Sequence, residues 1–146
     1  MANVKTLERL QQIRQYKTDE IEAEFKKILI ALMQQEDILN TLHVNLNRLT
    51  TQMNEKQTRG FRNAYELSLF YDYMETLNRL IQKQQELVRQ MTLVFEEKKA
   101  ELLEAYKEVK VVEKLKNKVI ADKNKTAAWQ EQKELDYVYL SRLPRY

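Results

Sequence analysis

The sequence predicts an all-α fold in which two long helices form an antiparallel coiled-coil hairpin with an overhanging carboxy-terminal helix. The 146-residue chain contains one glycine and one proline, whereas average usage would give about ten and seven. Charged residues make up 32% of the chain, which is typical of long helices when Glu, Lys, Gln and Leu dominate. Both halves also carry a heptad pattern of apolar residues, as coiled coils do. Folds that need a turn signal about every ten residues are therefore excluded.

The first helix is expected over about residues 3–56. Asn3 or Thr6 can begin it by accepting a hydrogen bond from an amide of the first turn. From residue 21 onward, apolar residues occupy nine of ten positions at alternating steps of four and three, and this spacing predicts one stripe facing a partner helix. These seam positions are Ile21, Phe25, Ile28, Leu32, Gln35, Leu39, Leu42, Leu46, Leu49 and Met53.

The pattern changes before residue 21. Leu7, Leu10 and Ile13 are apolar but do not continue the register, because Arg14 and Thr18 occupy the positions that the seam would use. We therefore expect a stutter here, which locally changes the supercoil.

A turn is expected over about residues 57–63, centred on Gly60. Glycine adopts positive φ at little cost, and Asn63 followed by Glu66 is typical of a capping box. The second helix should then span about residues 64–140, with Pro144 beyond its end. Its seam is apolar at nine of eleven positions, which are Leu77, Ile81, Gln84, Val88, Met91, Phe95, Lys98, Leu102, Ala105, Val109 and Val112.

A single hairpin domain over residues 1–146 places residue i opposite roughly residue 120 − i. Opposite charges then approach each other in three groups, and these exposed pairs select register more than they add stability. The first residue of helix 1, near residue 3, would lie opposite residue 117. Residues 118–146 would therefore lack a partner within the chain. The expected groups are Lys26 and Lys27 with Glu96 and Glu97, Glu20, Glu22 and Glu24 with Lys98 and Lys99, and Glu36 and Asp37 with Lys83.

Catalytic chemistry has few candidate groups in this chain. It contains one histidine, His43, no cysteine and no glycine-rich phosphate loop or metal-ligand spacing. The carboxylates are interpreted as solvated helix faces, since paired acid and base groups need a desolvated cleft. We therefore expect no enzyme activity, no metal and no cofactor. No run of about 18 apolar residues suggests a membrane span, and no secretory signal is visible at the N-terminus.

Lysines are concentrated in residues 107–125, which contain seven lysines and three acidic residues. Lys110, Lys114 and Lys118 follow steps of four and share one helix face. This face can be simply solvated, can bind an acidic protein surface or can bind nucleic acid. Nucleic acid is the weakest of the three readings, because the run lacks arginine and has no aromatic residue before Trp129.

Two aromatic clusters remain. The first lies beside the turn, where the hairpin end can cover only some of its side chains; it comprises Phe61, Tyr65, Phe70, Tyr71 and Tyr73, with Leu80 and Leu87 as a second apolar flank. The second lies on the overhang and predicts a helix that is completed by a partner protein; it comprises Trp129, Tyr137, Tyr139, Leu140 and Leu143.

The sequence resembles the FliJ-type flagellar export proteins of bacterial type III secretion. The resemblance covers essentially the whole chain in its length, its helical hairpin and the position of its turn. It includes the run from Gly60 to Ile81, where Tyr71 and Tyr73 precede a Leu-x-x-x-Ile pattern. It also includes the closing run Glu131-Gln132-Lys133-Glu134-Leu135-Asp136.

The resemblance implies a non-enzymatic stalk that is cytoplasmic and peripherally associated with the inner membrane at the flagellar base. Such a stalk inserts its terminal end into the hexameric export ATPase, contacts the membrane-embedded export gate and cycles export chaperones. Positions matching the gate-binding patch are Tyr73, Leu77, Leu80 and Gln84, the last lacking the family's imidazole. We place the ATPase-ring contact near Arg9, Arg14, Lys118, Lys125 and Trp129.

Three alternatives stay open at this point. The chain can be the corresponding stalk of a virulence secretion system, because the physical properties of the sequence do not distinguish such a stalk from a flagellar one. The lysine row can bind nucleic acid, with an affinity that falls steeply with salt. The apolar seams can also build a self-associating structural coiled coil.

Overall fold

The structure, a computed structural model, describes residues 3–143. Two α-helices contain nearly all of these residues: α1 spans Val4–Arg59 and α2 spans Ala64–Ser141. α1 continues to Arg59 rather than ending near residue 56, so the connection between the helices is short. Residues 3–143 contain no strand, and the predicted all-α helical hairpin is confirmed. Pro144 lies outside the described residues.

An asparagine side chain caps the N-terminus of each helix. The Thr6 amide donates to Asn3 Oδ1 at 2.9 Å, and the Glu66 amide donates to Asn63 Oδ1 at 2.9 Å. The Glu66 carboxylate accepts a hydrogen bond from the Arg62 amide at 3.1 Å, where a standard capping box would use the amide of Asn63. The cap predicted at Asn63 is therefore confirmed, with its reciprocal bond moved by one residue.

Gly60 ends α1 in the left-handed region. Its φ is +90°, and its amide donates to the Lys56 carbonyl oxygen at 2.7 Å. A Cβ added at this position would meet no atom within 4 Å. Glycine is therefore required by the backbone conformation and not by crowding.

Replacing Gly60 with alanine should lower the free energy of unfolding by about 1–2 kcal/mol, because a side chain at positive φ is strained. Gly60→Asn should cost less, since asparagine tolerates this region better. Urea unfolding followed by circular dichroism at 222 nm measures both values. Equal stability of Gly60→Ala and wild type would show that the turn does not need positive φ.

Contacts divide the chain into two compact units. The turn unit is Ile21–Glu101, and the terminal unit is Met1–Glu20 with Leu102–Tyr146. In each unit, α1 and α2 pack through seam positions. The buried side chains of the turn unit are Ile21, Leu32, Leu49, Met53, Leu77 and Ile81. Those of the terminal unit are Leu7, Thr18, Leu102, Ala105 and Val112.

The stutter predicted before residue 21 is wrong. Leu7 and Thr18 are buried, Gln11 and Arg14 are half-buried, and Ile13 is exposed. The covered positions of α1 thus keep the alternating steps of four and three from Leu7 onward. Polar residues occupy this part of the seam without changing its register.

Hydrogen bonds explain how polar side chains fit there. Thr18 is only 1% exposed. Its hydroxyl donates to the Arg14 carbonyl oxygen at 2.8 Å and lies 3.5 Å from the Ala105 carbonyl oxygen. Arg14 Nη1 donates to Glu108 Oε2 at 2.6 Å. Buried polar groups with partners cost little, and the small Thr18 and Ala105 side chains allow the helices to approach closely.

The expected charge pairing is confirmed in part. Glu24 and Lys98 pair across the turn unit at 2.7 Å, and the rings of Phe25 and Phe95 lie 5.1 Å apart, as the predicted register requires. Lys26 instead pairs with Glu22 on its own helix at 3.4 Å. A partner one turn away along the same helix is available without crossing the seam.

Candidate functional site

The four positions predicted for gate binding separate into two pairs. Tyr73 and Leu80 are half exposed, at 50% and 45%, whereas Leu77 is 3% exposed and belongs to the core of the turn unit. The Gln84 side-chain amide donates to the carbonyl oxygen and to Oε1 of Gln35, both at 2.8 Å. The structure therefore does not bring the four side chains together on one accessible surface.

Helix geometry explains this separation. Residues seven apart lie nearly on one line along a coiled-coil helix, so Tyr73 and Leu80 share one face. Leu77 and Gln84 share the seam, which faces α1. Gln84 forms a polar layer with Gln35, and such layers fix the pairing register of coiled coils.

A row of apolar side chains continues from Tyr73 and Leu80 at the same spacing. Leu87 and Val94 are 40% and 49% exposed, and we call Tyr73, Leu80, Leu87 and Val94 the apolar stripe. It extends over 22 residues of α2, or about 31 Å. Leu80 and Leu87 were predicted as an apolar flank; Val94 was not, although the heptad spacing from Tyr73 leads to it.

Ion pairs between the helices lie beyond both ends of the apolar stripe. Near the turn, Lys56 Nζ lies 2.7 Å from Glu66 Oε1, seven residues before Tyr73. The hydrogen bond from Lys56, together with the Arg62 amide, lowers the pKa of the Glu66 carboxyl. Both helices thus contribute side chains to this face of the turn unit.

At the other end, Lys98 Nζ contacts Glu24 Oε2 at 2.7 Å and Glu101 Oε2 at 3.0 Å. The hydrogen bonds that Lys98 donates to Glu24 and Glu101 raise the pKa of Lys98, and the one to Glu24 lowers the pKa of that carboxyl. Glu101 lies seven residues after Val94, so it ends the apolar stripe with a charge.

Aromatic residues beside the turn are partly covered. The rings of Phe61 and Phe70 pack edge to face with centroids 5.9 Å apart. Tyr65 and Tyr71 are exposed, like Tyr73. The expectation that the hairpin end covers only some of this cluster is confirmed.

The residues predicted for the ATPase-ring contact all lie in the terminal unit. Arg9, Lys118 and Lys125 are exposed. Trp129 is also exposed, and Lys133 Nζ lies 4.1 Å from its ring centroid in a cation–π contact. Arg14 differs from these four residues because its guanidinium is already engaged by Glu108 at 2.6 Å.

The end of α2 has no helix packed against it. Val119 and Ile120 are the last half-buried residues, and every residue from 121 to 143 is exposed. Apolar side chains surround the helix in its last part, and a helix that is apolar all round is normally buried. These exposed side chains are Leu135, Tyr137, Val138, Tyr139, Leu140 and Leu143.

Six of the seven lysines in residues 107–125 are exposed. Lys110, Lys114 and Lys118 keep the predicted common face, while Lys116 lies at the seam. Lys116 Nζ contacts Glu8 Oε1 at 3.6 Å and Gln11 Oε1 at 3.5 Å. Lys116 therefore joins the two helices of the terminal unit and is not part of the outer row.

Residues 3–143 hold no cluster of three histidine or carboxylate side chains that could bind a metal ion. Neither helix, over the part that is described, has a segment apolar enough to cross a membrane. His43 is exposed beside the seam residue Leu42.

Together, the fold and its exposed faces define an all-α helical hairpin protein with surfaces suited to binding other proteins. The family model of the flagellar FliJ protein matches residues 3–142. The chain belongs to this family and is a component of the flagellar export apparatus. Comparison with curated proteins and with solved structures gives no match.

Proposed function

We propose that the protein is a non-enzymatic coiled-coil stalk that links the hexameric export ATPase to the membrane export gate. The terminal unit binds the ATPase ring, and the turn unit binds the gate. The same stalk receives export chaperones during their cycle. It acts in the cytoplasm, in peripheral association with the inner membrane at the flagellar base.

The single observation that carries this proposal is the exposed end of α2. Residues 121–143 are all exposed, yet the last part of this segment carries apolar side chains on most of its faces. Exposed aromatic residues such as Trp129 and Tyr137 are typical of the centre of protein interfaces. A closed ring around the helix would cover all of its faces at once.

The cationic residues of the terminal unit support the same role. Arg9, Lys118 and Lys125 are exposed and can increase the rate of encounter with an acidic surface of the ring. Arg14 supports the contact indirectly, since its ion pair with Glu108 holds α1 against α2.

Gate binding is assigned to Tyr73 and Leu80, the accessible pair of the four predicted positions. Leu77 and Gln84 act indirectly from the seam. They fix the rotation of α2 about its axis and therefore the direction in which Tyr73 and Leu80 point. Half-exposed apolar residues in a row are typical of binding surfaces.

Co-purification with a tagged chain tests this proposal. Wild type should retain both the export ATPase and the gate protein. Leu80→Asp should lose the gate and keep the ATPase, whereas Trp129→Asp should lose the ATPase and keep the gate. Failure of wild type to retain either protein, or equal effects of the two variants on both partners, would contradict it.

A further inference from the structure

We propose that the apolar stripe and its cationic rim form a helix-binding site whose occupant is an acidic amphipathic helix. The rim is Lys27 and Arg48 on α1 with Lys83 on α2. The inference rests on the proposed docking role of Tyr73 and Leu80 and adds the chemical class of the partner. It also extends the site to Leu87 and Val94.

The heptad register places the rim beside the stripe. On α2, Lys83 lies three residues after Leu80 and four before Leu87, and residues three and four apart are neighbours on a helix surface. On α1, Lys27 lies three residues after Glu24 and helps to lower the pKa of that carboxyl, after the larger effect of Lys98. Arg48 lies 21 residues, or three heptads, after Lys27 and therefore shares its line.

The ion pairs show which sides of the two helices meet. Glu24 on α1 contacts Lys98 on α2, and Lys56 on α1 contacts Glu66 on α2. Glu66 lies on the line of the apolar stripe, and Glu24 lies on the corresponding line of α1. The apolar stripe and the line through Glu24 therefore flank the same side of the turn unit.

That side carries apolar residues on α1 as well. Ile38, two heptads after Glu24, is 46% exposed. Ala31, one heptad before Ile38, is half-buried. The corresponding heptad positions on the opposite side of the turn unit are mainly polar; they are occupied by Leu29, Glu36, His43, Tyr71, Asn78, Gln85 and Thr92. The heptad row of four exposed apolar residues on α2 thus lies on one side of the turn unit, as a single additional helix would need.

On this side of the turn unit, the stretch between the two interhelical ion pairs carries three unpaired cations. Lys27, Arg48 and Lys83 are exposed, and none of them forms an ion pair with a described residue. Between residues 27 and 48 of α1 and between 73 and 94 of α2, no acidic residue lies on the two heptad lines or three or four residues from them. The carboxylates on the two lines, Glu24 and Glu66, are engaged by Lys98 and Lys56. Glu86, next to Leu87 along the chain, is engaged by Arg89.

Charge complementarity therefore selects the occupant. A helix with apolar residues at every third and fourth position can pack its seam along the stripe, and acidic residues beside that seam can meet the three cations. A second copy of this chain would instead bring the cationic rims together if it used the same side.

Two designed peptides of about four heptads test the inference. Both carry leucine at the seam positions; one has glutamate beside the seam and the other has lysine there. Fluorescence anisotropy with the full chain should show the acidic peptide binding about tenfold or more tightly than the basic one. Equal affinities, or no binding of the acidic peptide, would overturn the inference.

Leu93 provides a matched control for Val94. The two residues are adjacent and similarly exposed, at 54% and 49%, but point about 100° apart. The double variant Leu87→Glu/Val94→Glu should weaken binding of the acidic peptide at least about thirtyfold, while Leu93→Glu should leave it unchanged. Equal losses in both variants would contradict a site on the stripe.

Sedimentation of the full chain decides whether a second copy is the occupant. A monomer of wild type supports a foreign helix, whereas a dimer that Leu87→Glu/Val94→Glu dissociates would overturn the proposal. The peptide assay contains no export component. Its failure would therefore leave the co-purification result for the proposed function intact, and the reverse also holds.

Discussion

Leu77→Asp is expected to lower the free energy of unfolding by about 3–5 kcal/mol, whereas Leu80→Asp should change it by less than about 0.5 kcal/mol. Leu77 is 3% exposed in the seam of the turn unit, and Leu80 is 45% exposed on the apolar stripe. The aspartate at position 77 would leave a cavity and an unpaired buried charge. The aspartate at position 80 would remain in water.

Urea unfolding followed by circular dichroism measures both variants under the same conditions. The two substitutions are chemically identical and lie three residues apart, so their difference isolates burial. Leu80→Asp should retain the helix content of wild type and lose gate binding. Similar stabilities of the two variants would contradict the assignment of Leu77 to the core.

Ending the chain after Ile120 is expected to abolish stimulation of the export ATPase. The removed part includes residues 121–143, all of which are exposed and none of which packs against α1. The melting temperature should therefore change by less than about 3 °C. ATP hydrolysis by the purified ATPase, with and without the shortened chain, measures the effect.

A full-length control separates the loss of side chains from the loss of length. Trp129→Ala/Tyr137→Ala keeps the helix and removes two exposed aromatic residues, so stimulation should fall at least tenfold if they are central contacts. Undiminished stimulation by the shortened chain would exclude the end of α2 as the ATPase contact.

Local signals in the sequence were sufficient to predict much of the fold. Gly60 combined with Asn63 and Glu66 located the turn, and the structure shows positive φ and an asparagine cap there. The heptad spacing from Ile21 onward identified the seam. These features depend on neighbouring residues, which is why a single sequence reveals them.

The first turns of α1 were less predictable because burial there depends on α2. Thr18 and Arg14 are polar, so hydropathy alone excluded them from the seam. Their partners, Ala105 and Glu108, are distant in sequence and supply a small facing side chain and a counter-charge. Such compensation becomes visible only when the two helices are placed together.

Two of the residues predicted to bind the gate had also been predicted to lie in the seam between the helices. Leu77 and Gln84 were predicted as seam residues from their spacing and as gate contacts from family resemblance. In the structure, Leu77 is buried and Gln84 bonds to Gln35, so the accessible surface shifts to the line through Tyr73 and Leu80. The rotation of α2 about its axis decides which of these side chains are accessible, and a family resemblance does not report that rotation.

In-cell photo-crosslinking tests the central claim, that the two units bind different export components, most directly. A photoreactive phenylalanine analogue is placed at position 80 in one strain and at position 129 in another. We predict crosslinks to the export gate protein from position 80 and to the export ATPase from position 129. Crosslinks to the same partner from both positions, or to the two partners in the reverse order, would contradict the claim.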